Sequence, residues 1–250
     1  MARIDNLFDY DGPVMKFGAF LFDIILLDIL WLLFSGFVPL MILFYLFGHT
    51  ALANLPGWLS YLVMFILIIH WLPATCAMYY AQSRRYRGYG VYITKEFMHS
   101  YRQNYKQAIL LSLLATSVIL LLGYNIFLIS SNAENFGSAA HILTVLQIVV
   151  GAEVLLTLIY AIALLARINI KTKELISTSF AMANKHLPYS LLCGAIVAVI
   201  CALLYYQQIF FFLFVPSVAC YFVMMILEKF VLNKYIPKDD GETEEVKVLR

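Results

Sequence analysis

All seventeen Lys and Arg residues of this chain fall in four segments, and those segments alternate with long apolar stretches. Arg3 and Lys16 precede the first stretch. Arg84, Arg85, Arg87, Lys95, Arg102 and Lys106 separate the second from the third, and Arg167, Lys171, Lys173 and Lys185 separate the fourth from the fifth. Lys229, Lys234, Lys238, Lys247 and Arg250 follow the sixth. The intervening connections, 49–57, 131–140 and 205–208, carry neither Lys nor Arg. Positive charge in short connections marks the cytoplasmic side of a membrane protein. An even number of spans with both termini and both basic loops in the cytoplasm therefore fits the pattern, and one span more or fewer destroys it.

The apolar stretches cover 17–47, 58–81, 107–130, 141–166, 187–206 and 209–227. Each reaches or approaches the roughly 20 residues that a spanning helix needs. The composition agrees: 63% of the chain is apolar and 13% charged, where a soluble chain is roughly half apolar and a quarter charged. The expected fold is thus all-α, a polytopic bundle of about six spans forming one domain over 1–236. The tail 237–250 mixes charges without an apolar face, so it reads as disordered. A secreted enzyme, an ATPase and a nucleic-acid-binding module are excluded, and the lipid bilayer is the first partner.

The first stretch is too long for one straight span, and Ser35, Gly36 and Pro39 mark where it should break. Trp71-Leu72-Pro73 and Pro216 mark expected kinks in the second and sixth. The apolar run near the N-terminus is far longer than the core of a signal peptide, and Asp5, Asp9 and Asp11 precede it, so the segment reads as an anchor retained in the membrane. Cys76, Cys193, Cys201 and Cys220 all lie within expected spans without CxxC spacing, which suits packing rather than zinc or disulfides.

The loops 82–106 and 167–186 carry the polar information. Arg84, Arg85, Tyr86, Arg87, Gly88, Tyr89 and Gly90 form a basic, turn-prone stretch. From Thr94 the pattern becomes helical: Phe97, Met98, Tyr101, Tyr105 and Ala108 share one face, and Lys95, Arg102, Gln103 and Lys106 the other. An interfacial amphipathic helix leading into span three is expected, resting on anionic headgroups or docking a cytoplasmic partner. The second loop repeats the scheme, Lys173-Glu174-Leu175-Ile176 answering Lys95-Glu96-Phe97-Met98, and Lys185 answering Lys106. Spans two and three are then either a parallel repeat of four and five or alike by chance over these few matches.

Ionisable groups at bilayer depth are costly and suggest function. Asp28, His70 and Glu153 fall about 16–20 Å from the cytoplasmic edge at 1.5 Å per residue, near the midplane, with Asp23 shallower and on the face of Lys16. They can line a polar cavity for a cation, a proton or a small polar solute, or bridge helices as neutral groups. No HExxH, GxSxG, Walker loop or paired interfacial carboxylates occurs, so an enzyme is not expected, and neither a metal nor a cofactor is implied.

Several strings together resemble the YesL-like family of bacterial integral membrane proteins, a family named as a domain of unknown function. They are Phe8-Asp9-Tyr10-Asp11-Gly12-Pro13-Val14-Met15-Lys16-Phe17, residues 23–33 (DIILLDILWLL), Pro73-Ala74-Thr75-Cys76-Ala77-Met78-Tyr79-Tyr80, and residues 92–110 (YITKEFMHSYRQNYKQAIL). Leu164-Leu165-Ala166-Arg167 and Asn184-Lys185-His186-Leu187-Pro188-Tyr189 extend the likeness. The family usually carries Asn where this chain has Asp28, which implies a hydrogen-bonding role there. The resemblance further implies a bacterial plasma-membrane protein that assists or regulates a carbohydrate ABC uptake system, with the transporter subunits as partners. A small permease using the midplane groups is the alternative.

Overall fold

The computed structural model describes residues 12–36, 69–89, 92–132, 137–206 and 215–236. The far end of the first expected span (37–47), the start of the second (58–68), the start of the sixth (209–214) and the tail (237–250) lie outside the described residues. The described chain is helical: α1 (Pro13–Phe34), α2 (Trp71–Tyr86), α3 (Ile93–Ser131), α4 (Ala139–Leu165), α5 (Thr172–Lys185), α6 (Leu187–Tyr206) and α7 (Val215–Leu227). A π-helical turn (Glu228–Leu232) and a last turn, α8 (Asn233–Tyr235), follow.

Backbone chemistry sets the ends of these helices. Proline at the first helical position starts α1, where its missing N–H is an unpaired donor site in any case, and the helix stops at Phe34. Gly36 then takes φ 84°, a left-handed value that glycine adopts without strain, at the break that Ser35 and Gly36 mark in the sequence. Pro73 sits in the first turn of α2, so the expected kink at Trp71-Leu72-Pro73 is a fresh helix start. The α2–α3 turn is a Schellman motif: Tyr89 donates its backbone N–H to Arg84 O at 3.0 Å and Gly88 to Arg85 O at 3.0 Å, with Gly88 at φ 88°.

The amphipathic segment and span three are one continuous helix. At 39 residues, α3 is about 58 Å long, nearly twice a bilayer core of about 30 Å. Its first third is therefore an extension beyond the apolar part, packed against α2, and not a separate helix lying flat. Nothing between Thr94 and Ala108 breaks the helix. In the second hairpin the corresponding place holds Pro188, and α5 meets α6 at a bend of 101°. Ser190 covers the carbonyls freed there, donating to Ala183 O at 2.7 Å or His186 O at 3.1 Å, as termini and breaks require.

α1, α3, α4 and the α7–α8 run (Val215–Tyr235) are each long and apolar enough to cross a membrane, and α5 with α6 gives a fifth if the bent pair is one span. The chain is thus an integral membrane protein. Of the second expected span, 58–81, only the part from 69 is described: there α2 has 16 residues and carries Arg84 and Arg85 in its last turn.

Burial is concentrated at the basic end. Leu72, Met78, Tyr79, Phe97, Tyr160, Leu164, Leu175, Met224, Leu227 and Leu232 are fully buried, while Leu121, Tyr124, Phe127, Ile142, Val145 and Ile148 on the other halves of α3 and α4 are exposed. So much exposed apolar surface at spanning length suits a lipid environment. The packed base thus holds the bundle, and the two long helices rise from it into the bilayer.

Candidate functional site

The base contains a buried polar cluster joining three parts of the chain. Glu228 opens the π-helical turn and is fully buried. Arg167, in the α4–α5 turn, reaches its Oε2 from Nη1 at 2.5 Å, both side chains almost wholly shielded. Ser83 of α2 donates to Glu228 Oε1 at 2.5 Å, and Arg167 Nη2 extends toward Ile236 O at 3.5 Å. A buried charge pair persists where both partners are held and hydrogen-bonded. Here that requirement ties α2, the α4–α5 turn and the C-terminal helix together. π-Turns recur at functional sites, and this one supplies the carboxylate.

A second polar system lies between α1, α2 and α7. Asp28 is fully buried and its Oδ1 accepts the backbone N–H of Ser217 at 2.7 Å, in the first turn of α7, where an acidic oxygen favours the helix dipole. Gln82 Nε2 donates to Ser217 O at 2.9 Å and Oγ at 2.8 Å. Asp28 Oδ2 and Gln82 Oε1 are buried without hydrogen-bond partners among the described residues. Next to them, Asp23 is ion-paired with Arg85, and the guanidinium stands 5.7 Å from the Phe20 ring centre. Phe20, Asp23, Gln82, Arg85, Tyr86 and Tyr221 help to line a cavity of about 150 Å³.

The three expected midplane groups have separate partners. Asp28 meets α7. His70 Nε2 lies 3.0 Å from the Tyr105 hydroxyl, level with the residue before Lys106, so the ring sits at the polar part of α3. The depth count from the sequence put it deeper because it ended span two at 81, whereas α2 runs on to Tyr86 alongside the polar part of α3. Glu153 accepts from Asn184 Nδ2 at 2.7 Å, in the last turn of α5, which folds back along α4. Among the described residues no three His, Cys, Asp or Glu side chains are grouped to hold a metal. Cys76, Cys193 and Cys220 are buried free thiols.

The basic residues divide by exposure. Arg84 pairs with Glu96 at 3.1 Å and donates to the Tyr80 hydroxyl at 3.1 Å. Arg87 donates from Nε to Ser83 O at 3.3 Å and stands 5.6 Å from the Tyr89 ring centre. With Arg85 on Asp23, these arginines tie the α2–α3 turn to itself and to α1. Phe97 is buried, and Tyr101 stacks on it at 6.2 Å while meeting Phe34 edge-on at 4.9 Å. The inward face of α3 is thus an aromatic ladder. Lys95, Arg102, Lys106, Lys173 and Lys185 point outward and are exposed. Lys95, Met98, His99, Arg102 and Gln103 line an open cleft of about 490 Å³.

His186, at the α5–α6 bend, lies 3.0 Å from the Tyr235 hydroxyl. Partial burial, with Lys185 and Lys234 nearby, holds its pKa below the ordinary 6.5, because each disfavours a second positive charge.

Sequence reading missed the Arg167–Glu228 pair. Arg167 counted as a loop cation and Glu228 as the residue after span six. A lone acid closing an apolar run, and a lone arginine closing another, was the signal available. Gln82 and Ser217 were missed because neutral polar residues near span ends are common.

Residues 24–126 match the model of the family described as "Protein of unknown function, DUF624", the family to which the YesL-like proteins belong. The resemblance read from the sequence is thereby shown over α1 from Ile24, through α2, and into α3. Asp28, His70 and the α2–α3 basic residues lie within the matched region, while Arg167 and Glu228 lie beyond it. No curated protein and no solved structure matches the chain.

Proposed function

We propose that the chain is a multi-pass protein of the bacterial plasma membrane, its basic base in the cytoplasm, which acts without catalysis as an accessory or regulatory subunit of a carbohydrate ABC uptake system. The observation that carries this reading is the division of labour on the extended part of α3. Phe97, Ser100 and Tyr101 turn inward and fix the helix, which leaves Lys95, His99, Arg102 and Gln103 as a stiff cationic face outside the bilayer. Such a face suits an acidic segment of a partner, since charge complementarity favours encounter and register. The sugar-uptake setting comes from the family resemblance.

The test is affinity purification from cross-linked native membranes with mass spectrometry of what co-purifies. Recovery of an ABC permease or its sugar-binding protein, lost in a Lys95→Glu/Arg102→Glu variant that folds normally, supports the reading. Recovery unaffected by that variant, or of this chain alone, refutes it. Lys95 and Arg102 suit this test better than Arg84, Arg85 and Arg87, which have internal partners whose loss loosens the fold.

One observation favours the permease alternative: among the described residues Asp28 Oδ2 is buried without a hydrogen-bond partner, as a site awaiting a proton or cation would be. Solute flux in proteoliposomes that disappears in Asp28→Asn would establish it, and absence of flux in the native chain removes it.

A further inference from the structure

Two exposed lysines at the base, Lys106 and Lys171, have no ion-pair partner among the described residues, and their position relative to the apolar part of α3 points to what they meet. The α4–α5 turn is pinned to α3 by one bond, Gln107 Nε2 donating to Ile170 O at 2.7 Å. Beside that bond opens a cleft of about 600 Å³ whose lining includes Lys106, Leu110, Asn169, Lys171 and Thr172. Lys106 and Lys171 come from different elements, are both exposed, and neither is ion-paired among the described residues. Asn169 adds an amide and Thr172 a hydroxyl. Two unneutralised ammonium groups with neutral donors between them suit an anion with several oxygens, as a phosphate has.

One turn along α3 from Lys106 the lining becomes apolar and leads into the membrane. Lys106 is the last cation of α3, and Leu110 is the first large exposed apolar residue after it, at 47% exposure, followed by exposed Leu113, Leu114, Val118 and Leu121. These positions succeed one another at helical spacing, so the wall continues as a lipid-facing stripe. A ligand filling the whole feature carries a phosphate at one end and hydrocarbon at the other. We propose that this cleft binds the headgroup phosphate of an anionic phospholipid, whose acyl chains lie along the Leu110 stripe of α3. The site is independent of the docking face, which uses Lys95 and Arg102 in a different cleft.

The test is a titration of the full-length protein in neutral detergent with short-chain phosphatidylglycerol, phosphatidylcholine and inorganic phosphate, read by native mass spectrometry and microscale thermophoresis. Phosphatidylglycerol is expected to bind saturably and phosphatidylcholine far more weakly. A basic residue near an anionic membrane surface is worth about 5-fold in affinity, so Lys106→Gln and Lys171→Gln each weaken binding by about that factor and the double variant by about 30-fold. Lys95→Gln/Arg102→Gln leaves it unchanged. Both clefts are superficial, and unaltered thermal unfolding checks that the variants fold. Equal binding of the two lipids overturns the proposal, as does equal loss in both pairs of variants, which marks diffuse attraction. Competition by inorganic phosphate at equal concentration overturns it in favour of a soluble phosphate compound.

Discussion

Removing one member of the Arg167–Glu228 pair tests the reading of the base as a three-way junction. The pair is 2% and 0% exposed at its side chains, with 2.5 Å between Nη1 and Oε2, so Arg167→Met leaves a carboxylate with Ser83 as its remaining hydrogen-bond partner. Breaking a buried pair from one side costs about 3–5 kcal/mol. At about 2–4 °C per kcal/mol for a chain of this size, thermal unfolding in nanodiscs should fall by about 6–20 °C. Glu228→Leu should cost a similar amount, since it strands the guanidinium. The double variant removes both charges, and apolar replacement of a whole buried pair is close to neutral. It should therefore unfold well above either single variant, with a coupling of about 3 kcal/mol or more in the double-mutant cycle. Single variants that each shift unfolding by less than about 3 °C, or a double variant that simply adds the two losses, would refute the junction.

Three further outcomes follow from named contacts. Asp28→Asn keeps an oxygen for the Ser217 N–H and should change stability by less than about 1 kcal/mol, whereas Asp28→Leu leaves that donor unpaired and should cost about 1–3 kcal/mol; equal unfolding temperatures for the two variants would show that the bond is not used. Phe97→Ala empties the centre of the aromatic ladder and should cost about 3–5 kcal/mol, measured by the same unfolding assay, with a cost under about 1 kcal/mol arguing that α3 is not anchored there. His186, with its folded pKa held below 6.5, takes up a proton more readily when unfolded. Its contribution is therefore complete above pH 6.5 and is lost as pH falls from there through the lowered folded value. His186→Gln should flatten that part of the stability profile, and an unchanged profile would assign the acid sensitivity elsewhere.

The apolar helices were legible because apolar length is a property of a single segment. The runs 141–166 and 187–206 return almost unchanged as α4 and α6, and the amphipathic stretch 167–186 contains α5. The face of α3 was legible too, Phe97, Tyr101 and Tyr105 inward and Lys95, Arg102 and Lys106 outward, since one periodicity decides both. What sequence could not give was which helix lies beside which. Equal depth suggested a meeting of Asp28, His70 and Glu153, yet each found a partner on a different helix, Ser217, Tyr105 and Asn184. The continuity of α3 past Lys106 was equally hidden, because an amphipathic segment followed by an apolar one reads the same whether the helix bends or not. The second hairpin bends because it has Pro188, and that difference is visible in the sequence only once the two hairpins are laid side by side.

That difference gives the two hairpins unlike mechanics. The unbroken α3 carries displacement from its lipid-facing arm into the base: the segment from Ile93 to Lys106 is about 20 Å long at 1.5 Å per residue, so a tilt of about 5° transmitted along it loads the Phe97 and Tyr101 contacts with a shift of up to about 2 Å at the tip. The bent α5–α6 pair is instead a joint, where tilting of α6 can be absorbed at His186 without displacing α5. Thickening or thinning of the surrounding bilayer would thus be felt at Lys95 and Arg102 and be muted at Lys173.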